Sequence, residues 1–169
     1  MGLGCPGVGA VQLAKHLGAN VTGVCSTKNM EMVTSLGAAT VIDYSKIDFT
    51  KTGQTYDIIF DTVGKSSFLK CKKALNKNGI YLSPVLSLSL LFQMLRTTML
   101  GNKKVKFSAT GTKPISVLRL LLKELNELLE SGQLKTVIDR CYALEEISEA
   151  HQYVDTGHKR GNVVVSMQY

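Results

Sequence analysis

Residues 1–24 read MGLGCPGVGAVQLAKHLGANVTGV. Gly2, Gly4 and Gly7 have the spacing G-x-G-x-x-G, and from Val8 to Leu17 the apolar residues recur on one helical face. Gly18 then supplies a helix stop, and residues 20–24 read as a short buried strand. A glycine turn that opens a helix leading into a strand has the form of a dinucleotide-binding turn. In such a turn Gly2 permits the tight bend, Gly4 lets a pyrophosphate approach the backbone, and Gly7 lets helix and strand pack closely. The phosphates would rest on the helix N-terminus, whose unpaired amides and dipole favour an anion. Pro6 has no backbone N–H and withholds one amide from that site. Only Met1 stands before Gly2, so the strand that aims such a turn is not in the sequence.

The alternation continues outward from this stretch. Residues 28–38 read as a second helix closed by Gly37, TVIDY (40–44) as a strand, and YDIIFDTVG (56–64) as another ending at Gly64. A helix over Ser66–Asn76, a strand GIYLSPV (79–85), an apolar segment over 85–100 and a strand KVKFSA (104–109) follow. Strands alternating with short helices require crossover connections, hence a parallel sheet. The strands are continuous apolar runs, as a sheet covered on both faces needs. The expected fold is α/β, a doubly wound, Rossmann-like parallel sheet over residues 1–112.

Residues 113–169 are expected as a C-terminal segment. Pro114 suits a first helical turn, and Leu118, Leu121, Leu122, Leu125, Leu128 and Leu129 form an apolar stripe ending at Gly132. A strand TVID (136–139), a helix near Ile147–Val154 and a strand NVVVSM (162–167) complete the chain. So many apolar faces in a short tail call for a partner surface.

Composition narrows the function classes. With 169 residues, 44% of them hydrophobic, the chain can bury a core. Its longest apolar run, residues 84–100, is broken by Gln93 and Arg96 and falls short of the roughly 20 residues a bilayer demands. The N-terminus shows no basic stretch leading into an apolar one. A cytoplasmic protein with no membrane partner is expected. The net charge of +7 is uneven: the first 107 residues carry +8 and the remainder −1. Lys65, Lys70, Lys72, Lys73 and Lys77 lack interleaved aromatics or a nucleic-acid motif, and read as a solvated face rather than a nucleic-acid site. Cys5, Cys25, Cys71 and Cys141 are far apart, and His16, His151 and His158 have no ligand spacing, so free thiols and no metal site are expected.

The end of the second strand bears on the cofactor. An unphosphorylated dinucleotide needs a carboxylate about 20 residues on, to accept from the ribose 2′-OH. Here the strand ends VCSTKN (24–29), and the first acid is Glu31, inside the next helix. Ser26 and Thr27 offer hydroxyls and Lys28 a positive charge, groups suited to a 2′-phosphate. NADP(H) is the expected cofactor.

GVGAVQLAKHLGANVTGVCSTKN (7–29), LGAATVIDY (36–44), YDIIFDTVG (56–64) and IDRCYALEEISEAHQYVDTGHKRGNVVV (138–165) together resemble the medium-chain dehydrogenase/reductase superfamily. The quinone-oxidoreductase-like, zinc-type alcohol dehydrogenase branch is the most similar. The resemblance implies hydride transfer between NADP(H) and a small-molecule quinone, enone or carbonyl. By position it places Gly4, Gly7 and Val8 at the pyrophosphate, Ser26, Lys28 and Tyr44 at the 2′-phosphate, Val63 near the adenosine, Ser83 and Pro84 toward the nicotinamide, and Asn162 on the cofactor's reactive side. It names no catalytic residue and no metal ligand. The family's N-terminal barrel-like domain and first sheet strand are not in this sequence, so a truncated chain, inert alone and with exposed strand edges, is expected. In the family the 85–100 region lies near the subunit contact, which admits a homodimer. Two alternatives remain: a non-catalytic nucleotide-binding or interaction module, and a methyltransferase whose S-adenosylmethionine loop would be GLGCPG (2–7). That last class wants acids before the loop and after strand two, and neither is present.

Overall fold

The computed structural model describes residues 5–99, 101–108 and 113–167, without the side chains of residues 5, 6 and 99. Gly2 and Gly4 lie outside the described residues. The chain runs α1 (Cys5–His16), β1 (Thr22–Cys25), α2 (Met30–Ser35), β2 (Thr40–Asp43), β3 (Tyr56–Phe60), α3 (Phe68–Cys71), β4 (Leu75–Ser83), α4 (Leu88–Met99), β5 (Lys104–Phe107), α5 (Ile115–Glu130), β6 (Ile138–Ala143), α6 (Ile147–Asp155) and β7 (Asn162–Ser166). Every strand pairing is parallel: β1 with β2, β4 between β3 and β5, and β6 with β7. A helix bridges each of these pairs, as parallel neighbours require.

The residues form two compact units, one of residues 1–46 with 119–169, the other of 47–118. In the first, α1 and α2 pack on β1 and β2 through Val11, Cys25, Val33 and Ala38. Both helices end where the sequence places a glycine. Gly18 at φ +79° and Gly37 at φ +104° adopt left-handed conformations that residues with a Cβ avoid. Each closes a Schellman turn, with Ala19 N–H on the Ala14 carbonyl at 2.9 Å and Ala38 N–H on the Val33 carbonyl at 3.3 Å.

In the second unit Phe68, Cys71, Leu75, Tyr81, Leu90 and Val105 form the core. The helix anticipated over Ser66–Asn76 stops at Cys71, and β4 begins at Leu75. Leu75 is buried and pairs with Tyr56, while the Lys103 ammonium donates to the carbonyls of Lys72 at 2.7 Å and Leu75 at 2.5 Å. The first of these bonds satisfies a carbonyl that a helix reaching Asn76 would have used internally. The apolar segment 85–100 contributes helix α4. No helix among the described residues is long and apolar enough to cross a membrane. The five lysines from Lys65 to Lys77 are all exposed.

The strands are less covered than continuous apolar runs suggest. β1 and β3 each have one edge without a strand neighbour among the described residues. Val24 is 38% exposed, Ile58 58% and Phe60 41%. The leucine stripe of α5 behaves similarly: Leu118, Leu125 and Leu128 are half-buried, whereas Leu121, Leu122 and Leu129 are exposed.

Candidate nucleotide-binding site

The register of the first sheet builds one wall of the site. Cys25 pairs with Asp43, so the C-terminal ends of β1 and β2 emerge side by side. The residues that follow, Ser26–Asn29 and Tyr44, therefore lie together at the sheet's carboxyl end. Ligands of open α/β sheets bind in this position. Asp43 fixes the arrangement. Nearly fully buried, it accepts the Thr27 hydroxyl, the Ser45 hydroxyl at 2.6 Å and the Ser45 N–H at 2.9 Å. The Ser45 hydroxyl foremost, then Thr27, lowers its carboxyl to about 2. Close by, burial and then the Asp43 charge push the Cys25 thiol up.

A cavity of about 650 Å³ opens above this end, with Ser26, Lys28, Asn29 and Tyr44 on one side. Its other side belongs to the C-terminal segment: Asp139, Arg140, Tyr153, His158 and Arg160. The buried Gln12 of α1 ties that segment in place. Its Nε2 donates to the Lys135 carbonyl at 3.0 Å, and its Oε1 accepts the Lys135 N–H at 2.8 Å.

Asp139 organises the second wall. Its Oδ2 accepts the Tyr153 hydroxyl at 2.7 Å and the Arg160 N–H at 2.8 Å. Burial works to raise this carboxyl, yet those two donors and the nearby guanidinium groups hold it below the usual range. The same bond raises the Tyr153 phenol. The Arg140 guanidinium lies 3.8 Å from the Tyr153 ring centroid, a cation–π stack that orients its fork. Beneath the cavity, Asn29 donates to Ser26 Oγ at 3.4 Å, while its buried Oδ1 has no partner among the described residues.

Of the residues proposed from sequence, the structure brings Ser26, Lys28 and Tyr44 to one cavity. Thr27 is adjacent, but its hydroxyl is donated to Asp43. Gly7 and Val8 lie in the first turn of α1, Val8 buried. Val63 and Ser83 belong to the unit 47–118. Val63 is partly exposed and donates its N–H to Asp61 Oδ1 at 3.2 Å. Ser83 is buried, and its hydroxyl exchanges bonds with the Val85 backbone. Asn162 opens β7, its N–H on the Val137 carbonyl at 2.7 Å. Sequence reasoning passed over the entire second wall. The run His158-Lys159-Arg160, basic within a near-neutral tail, was the available signal.

A family profile described as zinc-binding dehydrogenase matches residues 36–165. The chain belongs to the zinc-binding dehydrogenase family. It is 32% identical over 168 residues to the chloroplastic NADPH-dependent alkenal/one oxidoreductase of Arabidopsis thaliana, covering 96% of this chain and 38% of that protein. It is 33% identical over 171 residues to a chloroplastic quinone-oxidoreductase of Triphysaria versicolor, covering 94% and 49%. The quinone oxidoreductase from Coxiella burnetii superposes with a TM-score of 0.79 at 26% identity, over 98% of this chain and 50% of that one. This family member thus spans half or less of these relatives, and it shares the Rossmann-like parallel fold of that quinone oxidoreductase. Among its described residues no three His, Cys, Asp or Glu side chains gather as a metal site. The described residues do not supply a donor set that fits zinc. The family match also removes the ground for the methyltransferase alternative.

Proposed function

We propose that this chain is the cofactor-binding portion of an NADP(H)-dependent oxidoreductase that reduces a small quinone, enone or carbonyl. One observation carries the reading: Ser26, Lys28 and Tyr44, which meet the needs of a ribose 2′-phosphate, line a single cavity at the carboxyl end of parallel strands. The donor set fits the cofactor's phosphorylated end. Lys28 supplies a cation, and Ser26 and Tyr44 supply hydroxyl donors. Beside them the buried Asn29 Oδ1 is an acceptor without a partner among the described residues. When bound, NADPH supplies the hydride. The chain's own residues bind and orient, which is most of what hydride transfer asks of a protein. Substrate enclosure is assigned to sequence beyond this chain, so the chain alone binds nucleotide without turnover.

Isothermal titration with NADPH and NADH tests the reading. NADPH binds more tightly, and Lys28→Ala weakens NADPH roughly five- to thirtyfold, as for the loss of one charge-assisted contact worth about 1–2 kcal/mol, with NADH little changed. Equal affinities in the parent chain would overturn it. NADPH oxidation with a quinone by the chain alone would overturn the assignment of turnover elsewhere. The exposed face of α5 favours a second reading, a non-catalytic module, which predicts an NADPH-independent oligomer in size-exclusion chromatography.

A further inference from the structure

We infer that Arg140 and Arg160 form a second cationic wall that grips the same ribose phosphomonoester as Lys28, so that the C-terminal segment helps determine cofactor choice. The inference rests on the reading above and adds residues to it. Both arginines line the cavity that holds Ser26, Lys28 and Tyr44. Neither guanidinium forms an ion pair with a carboxylate within 4.0 Å among the described residues. The Arg140 side chain donates a long hydrogen bond, 3.5 Å from Nη1 to the Tyr142 hydroxyl. A guanidinium has five N–H donors in a planar fork that matches a phosphate.

The Arg140 fork is placed by its ring stack, and Arg160 is anchored through its backbone. Asp139 holds Tyr153, on which Arg140 stacks, and it holds the backbone N–H of Arg160. Asp139 is thus a positioning residue, its carboxylate occupied by donors at 2.7 and 2.8 Å. A phosphomonoester in the cavity meets Lys28 with the Ser26 and Tyr44 hydroxyls on one wall and the two arginines on the other. Unphosphorylated ribose offers these guanidinium groups nothing to neutralise. Nucleic-acid binding would need an extended basic face with aromatic side chains for the bases to stack on, whereas these cations gather around one open cavity.

The test compares 2′-phosphoadenosine 5′-diphosphate with ADP by titration calorimetry on the full chain, for the parent, Arg140→Gln, Arg160→Gln and the double variant. Both side chains are exposed, and Arg160 keeps its backbone bond to Asp139 in each variant, so the fold is retained and thermal unfolding verifies it. Each single variant weakens the phosphorylated ligand roughly five- to tenfold, the double variant more, while ADP changes less than about twofold. A double variant with the parent's full preference overturns the second wall while the NADP(H) reading stands. A parent with no preference overturns both.

Discussion

Replacing Gly161 by Ala tests both the fold and the site. Gly161 is buried immediately before β7, and a Cβ there would stand 2.5 Å from the Val137 carbonyl oxygen and 2.9 Å from Val137 Cγ1. The carbonyl is backbone and cannot swing aside, and it already accepts the Asn162 N–H at 2.7 Å. Real Cβ atoms essentially never come within 3.0 Å of such a neighbour, so the chain at 161 must retreat by about half an ångström. That retreat loosens one backbone hydrogen bond, worth about 1 kcal/mol, and adds overpacking strain of about 1–3 kcal/mol. Together they destabilise the fold by about 2–4 kcal/mol. For a chain of this size each kcal/mol shifts the melting temperature by roughly 2–4 °C, so Gly161→Ala melts on the order of 5–15 °C below the parent.

Arg160 is the next residue back, so its N–H is dragged from Asp139 and NADPH affinity falls as well. The assay is thermal unfolding followed by circular dichroism, with Gly9→Ala as control. Gly9 lies inside α1, and a Cβ added there would meet nothing within 4 Å. Alanine at that position leaves stability unchanged or raises it by up to about 1 kcal/mol. If Gly161→Ala melts with the parent, the close approach of β7 to Val137 is refuted, and with it the placement of Arg160.

Two further outcomes follow from the elements behind the cavity. Gln12→Ala removes both bonds to Lys135 and lowers stability by about 1–3 kcal/mol, measured by urea unfolding; it also weakens NADPH, although Gln12 does not line the cavity. Asp43→Asn tests by pH the latch that the Asp43 carboxylate forms with Thr27 and Ser45. Because the folded carboxyl titrates at about 2 rather than its ordinary 3.8, its contribution is complete above about pH 4 and is lost as pH falls toward 2. The parent's advantage over Asp43→Asn is therefore constant near neutrality and shrinks below about pH 4; an advantage that persists unchanged to the acid limit refutes the latch.

What the sequence made legible was local. Gly18 and Gly37 end helices because a left-handed residue is needed at a fixed offset, and that requirement is written in one position each. The strand VTGV and the residues Ser26 and Lys28 lie within a few positions of one another, so their shared place at a sheet end follows from the βαβ pattern. The Ser66–Asn76 helix is shorter than its lysines and leucines, good helix formers, suggest, because Leu75 gains more from burial beside Tyr56 than from another helical turn. Thr27 reads as a ligand donor because sequence does not reveal that Asp43, sixteen residues on, takes its hydroxyl. Arg140 and Arg160 stayed hidden for a stronger reason. The contact that brings their segment to the cavity joins Gln12 to Lys135 across 123 positions, and no periodicity encodes a pairing of that length.

Charge explains why such a distant segment matters to recognition. Lys28, Arg140 and Arg160 bring three positive charges to the cavity walls, and Asp139, held ionised by its donors, returns one. An empty site therefore carries an excess of about two positive charges, and a phosphomonoester near neutral pH carries about −1.5 to −2. The phosphorylated ribose neutralises the excess; the unphosphorylated one leaves it in place. Lys28 alone would be balanced by Asp139 and would leave little net attraction for a phosphate. On this balance Lys28→Ala weakens discrimination between NADPH and NADH without abolishing it, because one positive charge remains in excess. Removing both arginines as well leaves Asp139 facing the ligand unopposed, and the preference turns toward NADH. A triple variant that still selects NADPH would show that the discriminating charge lies outside this cavity.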